Sequence, residues 1–168
     1  MEAYERAHIG DPSASEDGGA DDSTELRRGQ RIVHVEDDDD LRALCGEILD
    51  EAGFEVVGCP TLWAGKVAIR ACVPDILLVD RDLPDGSGLE LVRWVRNNPS
   101  YAGVQILVFS GRKNRDDVES AIGAGCDAFL GKPCAPSMLV DTIEGMVRPD
   151  QDVALRRTGR RRKCVPAP

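Results

Sequence analysis

Between residues 29 and 149 short apolar runs alternate with stripes of helical spacing. IVHV at 32–35 is followed by LRALCGEILDEAG, in which Leu41, Leu44, Cys45, Ile48 and Leu49 recur at i, i+3, i+4, i+7 and i+8. That spacing makes one face of an amphipathic helix, and Gly53 stands where a left-handed residue would end it. FEVVG at 54–58 reads as the next strand, and 61–72 as a weaker helix whose ends are blurred by Pro60 and Gly65. ILLV at 76–79 is continuously apolar, as a strand covered on both faces must be. GLELVRWVRNN at 88–98 predicts a helix, VQILVFS at 104–110 a buried strand, and RDDVESAIGAG at 115–125 a helix with a glycine stop. AFL at 128–130 is a short strand, and PSMLVDTIEGMV closes the pattern with Leu139, Ile143 and Met146 on one helical face. Trp63 and Trp94 are expected to be half-buried on their helices, and His34 to be a packed residue of the first strand.

Five strands alternating with five helices predict an α/β domain, a parallel sheet with helices on both faces in three layers. The flanks differ. Residues 1–28 carry eight acids against three bases and hardly any large apolar residue, so they read as a disordered acidic arm. Residues 150–168, ending RRTGRRRKCVPAP, read as a basic and disordered tail. The folded unit expected is therefore 29–149.

Composition narrows the class. A hydrophobic fraction of 42% supplies a core, and 4% aromatic makes that core aliphatic. The formal charge of −9 argues against a general nucleic-acid binder, because phosphate backbones demand a cationic surface; the basic tail is the one segment that could reach nucleic acid or an acidic partner. Six cysteines form no CxxC pair and no His lies near them at ligand spacing, so neither a zinc site nor a disulfide framework is expected. No apolar leader and no run of membrane-spanning length appears, and a cytoplasmic setting is the expectation.

In a parallel sheet of this kind ligands gather at the carboxyl ends of the strands. Glu36 and Asp37 follow the first predicted strand, Asp80 the third, Ser110 ends the fourth, and Lys132 follows the fifth. Crowded carboxylates need a cation, and hard oxygen donors without His or Cys favour Mg²⁺ over zinc. A phosphoryl group would then be drawn to the metal, with Lys132 as a point charge, Ser110 as a donor and Asp80 as the nucleophile of an aspartyl phosphate. Among Asp38, Asp39 and Asp40, one is expected to cap the following helix.

These segments resemble a bacterial response-regulator receiver domain. The matching pieces are HVEDD at the first strand, LLVDRDLPDGSGLEL around the third, VFSG at the fourth and AFLGKP at the fifth, in the right order and spacing over about 29–149. The resemblance implies a flavodoxin-like (βα)5 sandwich with strand order 2-1-3-4-5. It also implies phosphotransfer to Asp80 from a histidine kinase or histidine phosphotransfer protein, with Mg²⁺ required. Asp37 would then bind the metal directly, Glu36 would act through water or lie beside it, and the backbone carbonyl of Asp82 would add a ligand. Ser110 would hydrogen-bond the phosphoryl group, Lys132 would pair with it, and Phe129 would hold the aromatic switch position. A Glu as first acid, Ser110 in place of Thr, Gly111 in place of Ala and Phe129 in place of Tyr depart from the commoner pattern. They leave phosphorylation intact and bear on the strength of the switch.

DRDLP at 80–84 resembles the nucleophile motif of haloacid-dehalogenase-type phosphatases, but Pro84 stands where those carry Thr or Val, and their further acids come late in the chain. A receiver that has become a pure interaction module would lack site residues that are all present here. The expectation is a stand-alone signalling domain, not an enzyme of general turnover, acting through a downstream protein contact, with pairing of two copies left open.

Overall fold

The computed structural model describes residues 29–147. The acidic arm and basic tail expected at 1–28 and 150–168 fall outside the described residues. Five strands, β1 (Arg31–Val35), β2 (Glu55–Cys59), β3 (Ile76–Val79), β4 (Gln105–Ser110) and β5 (Ala128–Gly131), form one parallel sheet. Five helices connect or follow them: α1 (Asp39–Glu51), α2 (Leu62–Ala71), α3 (Gly88–Arg96), α4 (Arg115–Ala124) and α5 (Pro136–Met146). The strand order is 2-1-3-4-5, as the resemblance implied.

Period-two alternation divides the sheet between two aliphatic cores. Val33, Val35, Leu77, Val79, Ile106 and Val108 point to one face and pack with α2, α3 and α4. Ile32, Ile76, Leu78, Leu107 and Phe109 point to the other and meet Cys45 and Leu49 of α1 and Leu139 and Ile143 of α5. This explains why β3 is continuously apolar and β4 is apolar from Ile106 to Phe109: every residue of both strands is covered.

Local chemistry sets the helix ends. Asp38 is the N-cap of α1 and accepts a hydrogen bond from the Leu41 amide at 2.9 Å, so one of the three candidate acids does cap it. Gly53, just past the Ala52 cap, takes φ +96° and ends the helix as its position predicted. All four leading amides of α2 are satisfied: Leu62 and Trp63 donate to the Asp85 carboxylate at 2.8 Å, Ala64 to Thr61 Oγ1 and Gly65 to the Thr61 carbonyl at 3.0 Å.

Three expectations need correction. Leu44 is not on the buried face of α1: it is 52% exposed, since only Cys45 and Leu49 of that stripe reach the core fully. Trp63 is 64% exposed rather than half-buried, because Leu62 is the residue of the first turn of α2 that reaches the core. Gly65 does not blur the end of α2 but sits inside it, where a Cβ would come within 2.8 Å of Val35 Cγ2; its smallness lets α2 lie close on β1. Trp94 is half-buried as expected, against Tyr101 at 5.2 Å and under the Arg70 guanidinium. Cys45, Cys59, Cys126 and Cys134 are free thiols. Among the described residues no helix is long and apolar enough to cross a membrane.

Candidate functional site

The carboxyl edge of the sheet gathers the predicted residues. β1 ends at Val35 and delivers Glu36 and Asp37, β3 delivers Asp80, β4 ends on Ser110, and β5 runs into Lys132. Backbone hydrogen bonds hold these exits together: the amide of Asp80 donates to the Val35 carbonyl at 2.8 Å, and that of Lys132 to the Ser110 carbonyl at 2.8 Å. Behind Asp80 a two-residue hairpin, Asp82–Leu83 with Gly86–Ser87, turns the chain back into α3. Gly88 makes that turn feasible. A Cβ there would fall 1.8 Å from the Asp80 carbonyl oxygen, so the backbone approaches closer than any side chain permits.

Lys132 is the centre of the cluster. Its Nζ donates to Asp80 Oδ2 at 2.8 Å and forms a short bond to Glu36 Oε2. It also lies over the Phe109 ring, 5.1 Å from the centroid. Burial alone would pull the ammonium down, but the hydrogen bonds it donates to Asp80 and Glu36 outweigh that and hold the Lys132 pKa above its ordinary value. Glu36 is almost wholly buried, and burial raises its carboxyl even against the ammonium beside it. Asp37 is exposed at the rim.

Glu36, Asp37 and Asp80 each offer one carboxylate oxygen, and the three oxygens lie within 4.8 Å of one another. The donor set is hard and anionic, with no thiol or imidazole in it, which fits a divalent cation of the Mg²⁺ kind. No second group of three such side chains occurs among the described residues.

The remaining predicted residues lie around this core. Ser110 is fully buried and its Oγ accepts from the Arg112 amide at 3.2 Å. Phe129 is half-buried against the α2–α3–α4 core. Asp82 is exposed, and its carboxylate is turned outward to Arg112 Nε at 2.9 Å. The amide of Arg81 donates to Asp80 Oδ1 at 2.5 Å, so both oxygens of Asp80 are engaged.

Sequence reasoning missed several neighbours. Arg81 pairs with Asp117 of α4, Arg112 with Asp82, and Asp85 with the start of α2. Arg42 donates to the Glu36 carbonyl at 2.7 Å and steadies the β1–α1 turn. Their signal was only their nearness to Asp80 and Ser110 in sequence, because an exposed-looking Arg or Asp carries no period that betrays its partner. His34 is packed as expected, fully buried on the α1–α5 face, and neither ring nitrogen has a hydrogen-bond partner. Burial, then the charges of Lys132 and Arg42, lower its pKa to about 3.

Among curated proteins, the chain is similar to the transcriptional regulatory protein CseB of Streptomyces coelicolor, 33% identical over 117 residues, which is 70% of this chain and 49% of that protein. It is also similar to the transcriptional regulatory protein GltR of Pseudomonas aeruginosa, 29% identical over 128 residues, 76% of this chain and 53% of the other. The chain thus spans about half the length of the curated relatives it matches. Among solved structures, a putative response regulator from Chloroflexus aurantiacus matches with a TM-score of 0.68 at 26% identity, covering 71% of this chain and 98% of that one. The chemotaxis response regulator CheY4 of Vibrio cholerae matches in fold, with a TM-score of 0.67 at 22% identity over 70% of this chain and 98% of its own. Residues 32–144 match the response regulator receiver domain. With that match laid over a 2-1-3-4-5 sheet whose carboxyl edge holds an acid and lysine cluster, the chain belongs to the receiver domains of response regulators, the receiving side of two-component signalling.

Proposed function

We propose that Asp80 accepts a phosphoryl group from the phosphohistidine of a histidine kinase or histidine phosphotransfer protein, and that the phosphorylated domain signals by protein contact. The observation that carries this reading is the position of Lys132, whose ammonium touches both Asp80 and Glu36 beside Asp37. A carboxylate oxygen of Asp80 attacks phosphorus and forms a P–O bond. The donor's P–N bond breaks, its electron pair stays on the imidazole, and solvent returns the proton.

Each residue has a part in this. Lys132 neutralises one phosphoryl oxygen as it leaves Glu36 or Asp80. The Ser110 hydroxyl donates to another, drawing the β4–α4 loop toward the site, and Phe129 fills the room that Ser110 vacates. Mg²⁺ held by Glu36, Asp37 and Asp80, with the Asp82 carbonyl, would supply the charge that lets a phosphoryl group approach three acids. The setting is cytoplasmic, and the docking partner is a downstream protein or a second copy.

The test is incubation with acetyl phosphate and Mg²⁺, read by intact mass. One added phosphoryl group is expected in the unaltered chain, none in Asp80→Asn, and none once Mg²⁺ is chelated. An adduct that persists in Asp80→Asn, or none at saturating donor, would overturn the assignment.

A further inference from the structure

The weakest-packed helix of the domain is α4. Its inward face consists of Asp117, Ala121 and Ala124, with Val118 half-buried, and Ile122 is 61% exposed. By contrast α3 buries Leu89, Leu91, Val92 and Val95. Two alanine methyls hold a helix poorly, since apolar stabilisation scales with area removed from water. The largest side chain that α4 buries is a carboxylate.

That carboxylate has a definite partner. The Arg81 guanidinium pairs with Asp117 Oδ1 and also reaches the Asp117 carbonyl at 3.5 Å. Both side chains are mostly covered, 19% and 11% exposed, so solvent screens this pair far less than a surface one. The neighbouring pair, Arg112 with Asp82, crosses the same gap with charges reversed, but at 61% and 56% exposure it adds little. The far end of α4 is fastened separately, by Arg96 Nε to the Gly125 carbonyl at 2.7 Å. Of these two fastenings, only Arg81 adjoins Asp80.

Resting on the phosphoacceptor reading above, we infer that Arg81–Asp117 is a latch that fixes the N-terminal end of α4, and that a phosphoryl group on Asp80 opens it. The trigger is competition. Arg81 follows the phosphoacceptor directly, and its amide already bonds Asp80 Oδ1. A phosphoryl group brings about two negative charges, and its oxygens are a stronger lure for a guanidinium than one carboxylate. Once Arg81 turns to it, Asp117 loses its partner and α4 swings about the end that Arg96 holds. The helix that buries the smallest apolar side chains thereby becomes the mobile one, with Ile122 on its outer side.

Hydrogen exchange over 115–124 in the full chain tests this without any phosphodonor. Arg81→Gln and Asp117→Asn should each speed exchange there on the order of tenfold, with β1 and β3 unchanged, and the double variant should go no further than either single. Unchanged exchange in the singles, or additive effects in the double, overturns the latch. Acetyl phosphate with Mg²⁺ then tests the trigger. Faster exchange at 115–124 in the unaltered chain, and no further gain in Asp117→Asn, supports it; an adduct with no change at α4 overturns it. Absence of any adduct would instead sink the phosphoacceptor reading and its trigger, and the double-variant cycle still decides the latch.

Discussion

Lys132 and Glu36, 96 residues apart in the chain, are joined by a direct ion pair in which the carboxylate is almost wholly buried. Lys132→Met would leave that carboxylate without its cation. Breaking a buried pair from one side costs about 3 kcal/mol, most of it the desolvation of the orphaned charge. Adding Glu36→Gln should recover a good part of the loss, which equilibrium urea unfolding of the two singles and the double would measure. The ammonium also competes with a divalent cation for Glu36 and Asp80. Lys132→Met is therefore expected to bind Mg²⁺ more tightly than the unaltered chain by calorimetric titration.

A glycine pair separates close approach from mere flexibility. At Gly88 a Cβ would collide with the Asp80 carbonyl, whereas at Gly46, on α1, nothing lies within 4 Å. Gly88→Ala should destabilise by at least ~2 kcal/mol, as overpacking against backbone does, and should abolish acetyl phosphate labelling because Asp80 is displaced. Gly46→Ala should stabilise by about 1 kcal/mol through helix propensity. Thermal melts of both variants decide the matter.

What the sequence discloses follows from this contrast. The four strand exits at Glu36, Asp80, Ser110 and Lys132 could be read because period and strand order put them on one edge. Leu44 was misplaced because a five-position stripe is wider than the strip of α1 that the sheet covers. Arg81–Asp117 was invisible: the pair joins two polar residues, 36 apart, and hydrophobic spacing carries no record of it. Hence the element order and the acid cluster were legible, and the charged contacts that tie the loops together were not.

Asp85 reaches from the loop after β3 to the two leading amides of α2. Burial slightly opposes its ionisation, but those N–H groups hold its carboxyl below the usual carboxylate range. Asp85→Ala should cost about 1 kcal/mol, the usual loss for a helix-capping side chain, and the Asp85→Asn variant should keep part of it. The stabilisation belongs to the ionised form, so it is present above the unfolded carboxyl pKa and fades as pH falls through the folded one. The emission of exposed Trp63, whose amide is one of the two donors, gives a local reading of fraying beside the global melt.

His34 sets an acid limit on the fold. In the folded chain its imidazole titrates near 3, while the unfolded chain takes up the proton near the ordinary value of 6.5. Between those pH values the unfolded state binds more protons, so stability is full above 6.5 and falls as pH falls, by about 1.4 kcal/mol per unit. The loss from this group between pH 7 and pH 5 is then about 2 kcal/mol. Glu36 works in the opposite sense, because its raised carboxyl favours the folded chain in acid. Comparing the unaltered chain with His34→Leu at each pH cancels that contribution. The variant should show a flatter acid limb, and at neutral pH it should be no less stable, since it removes two buried ring nitrogens that have no partner. Urea midpoints at pH 7, 6 and 5 measure the difference, and parallel curves for the two proteins would mean that His34 takes up its proton without unfolding.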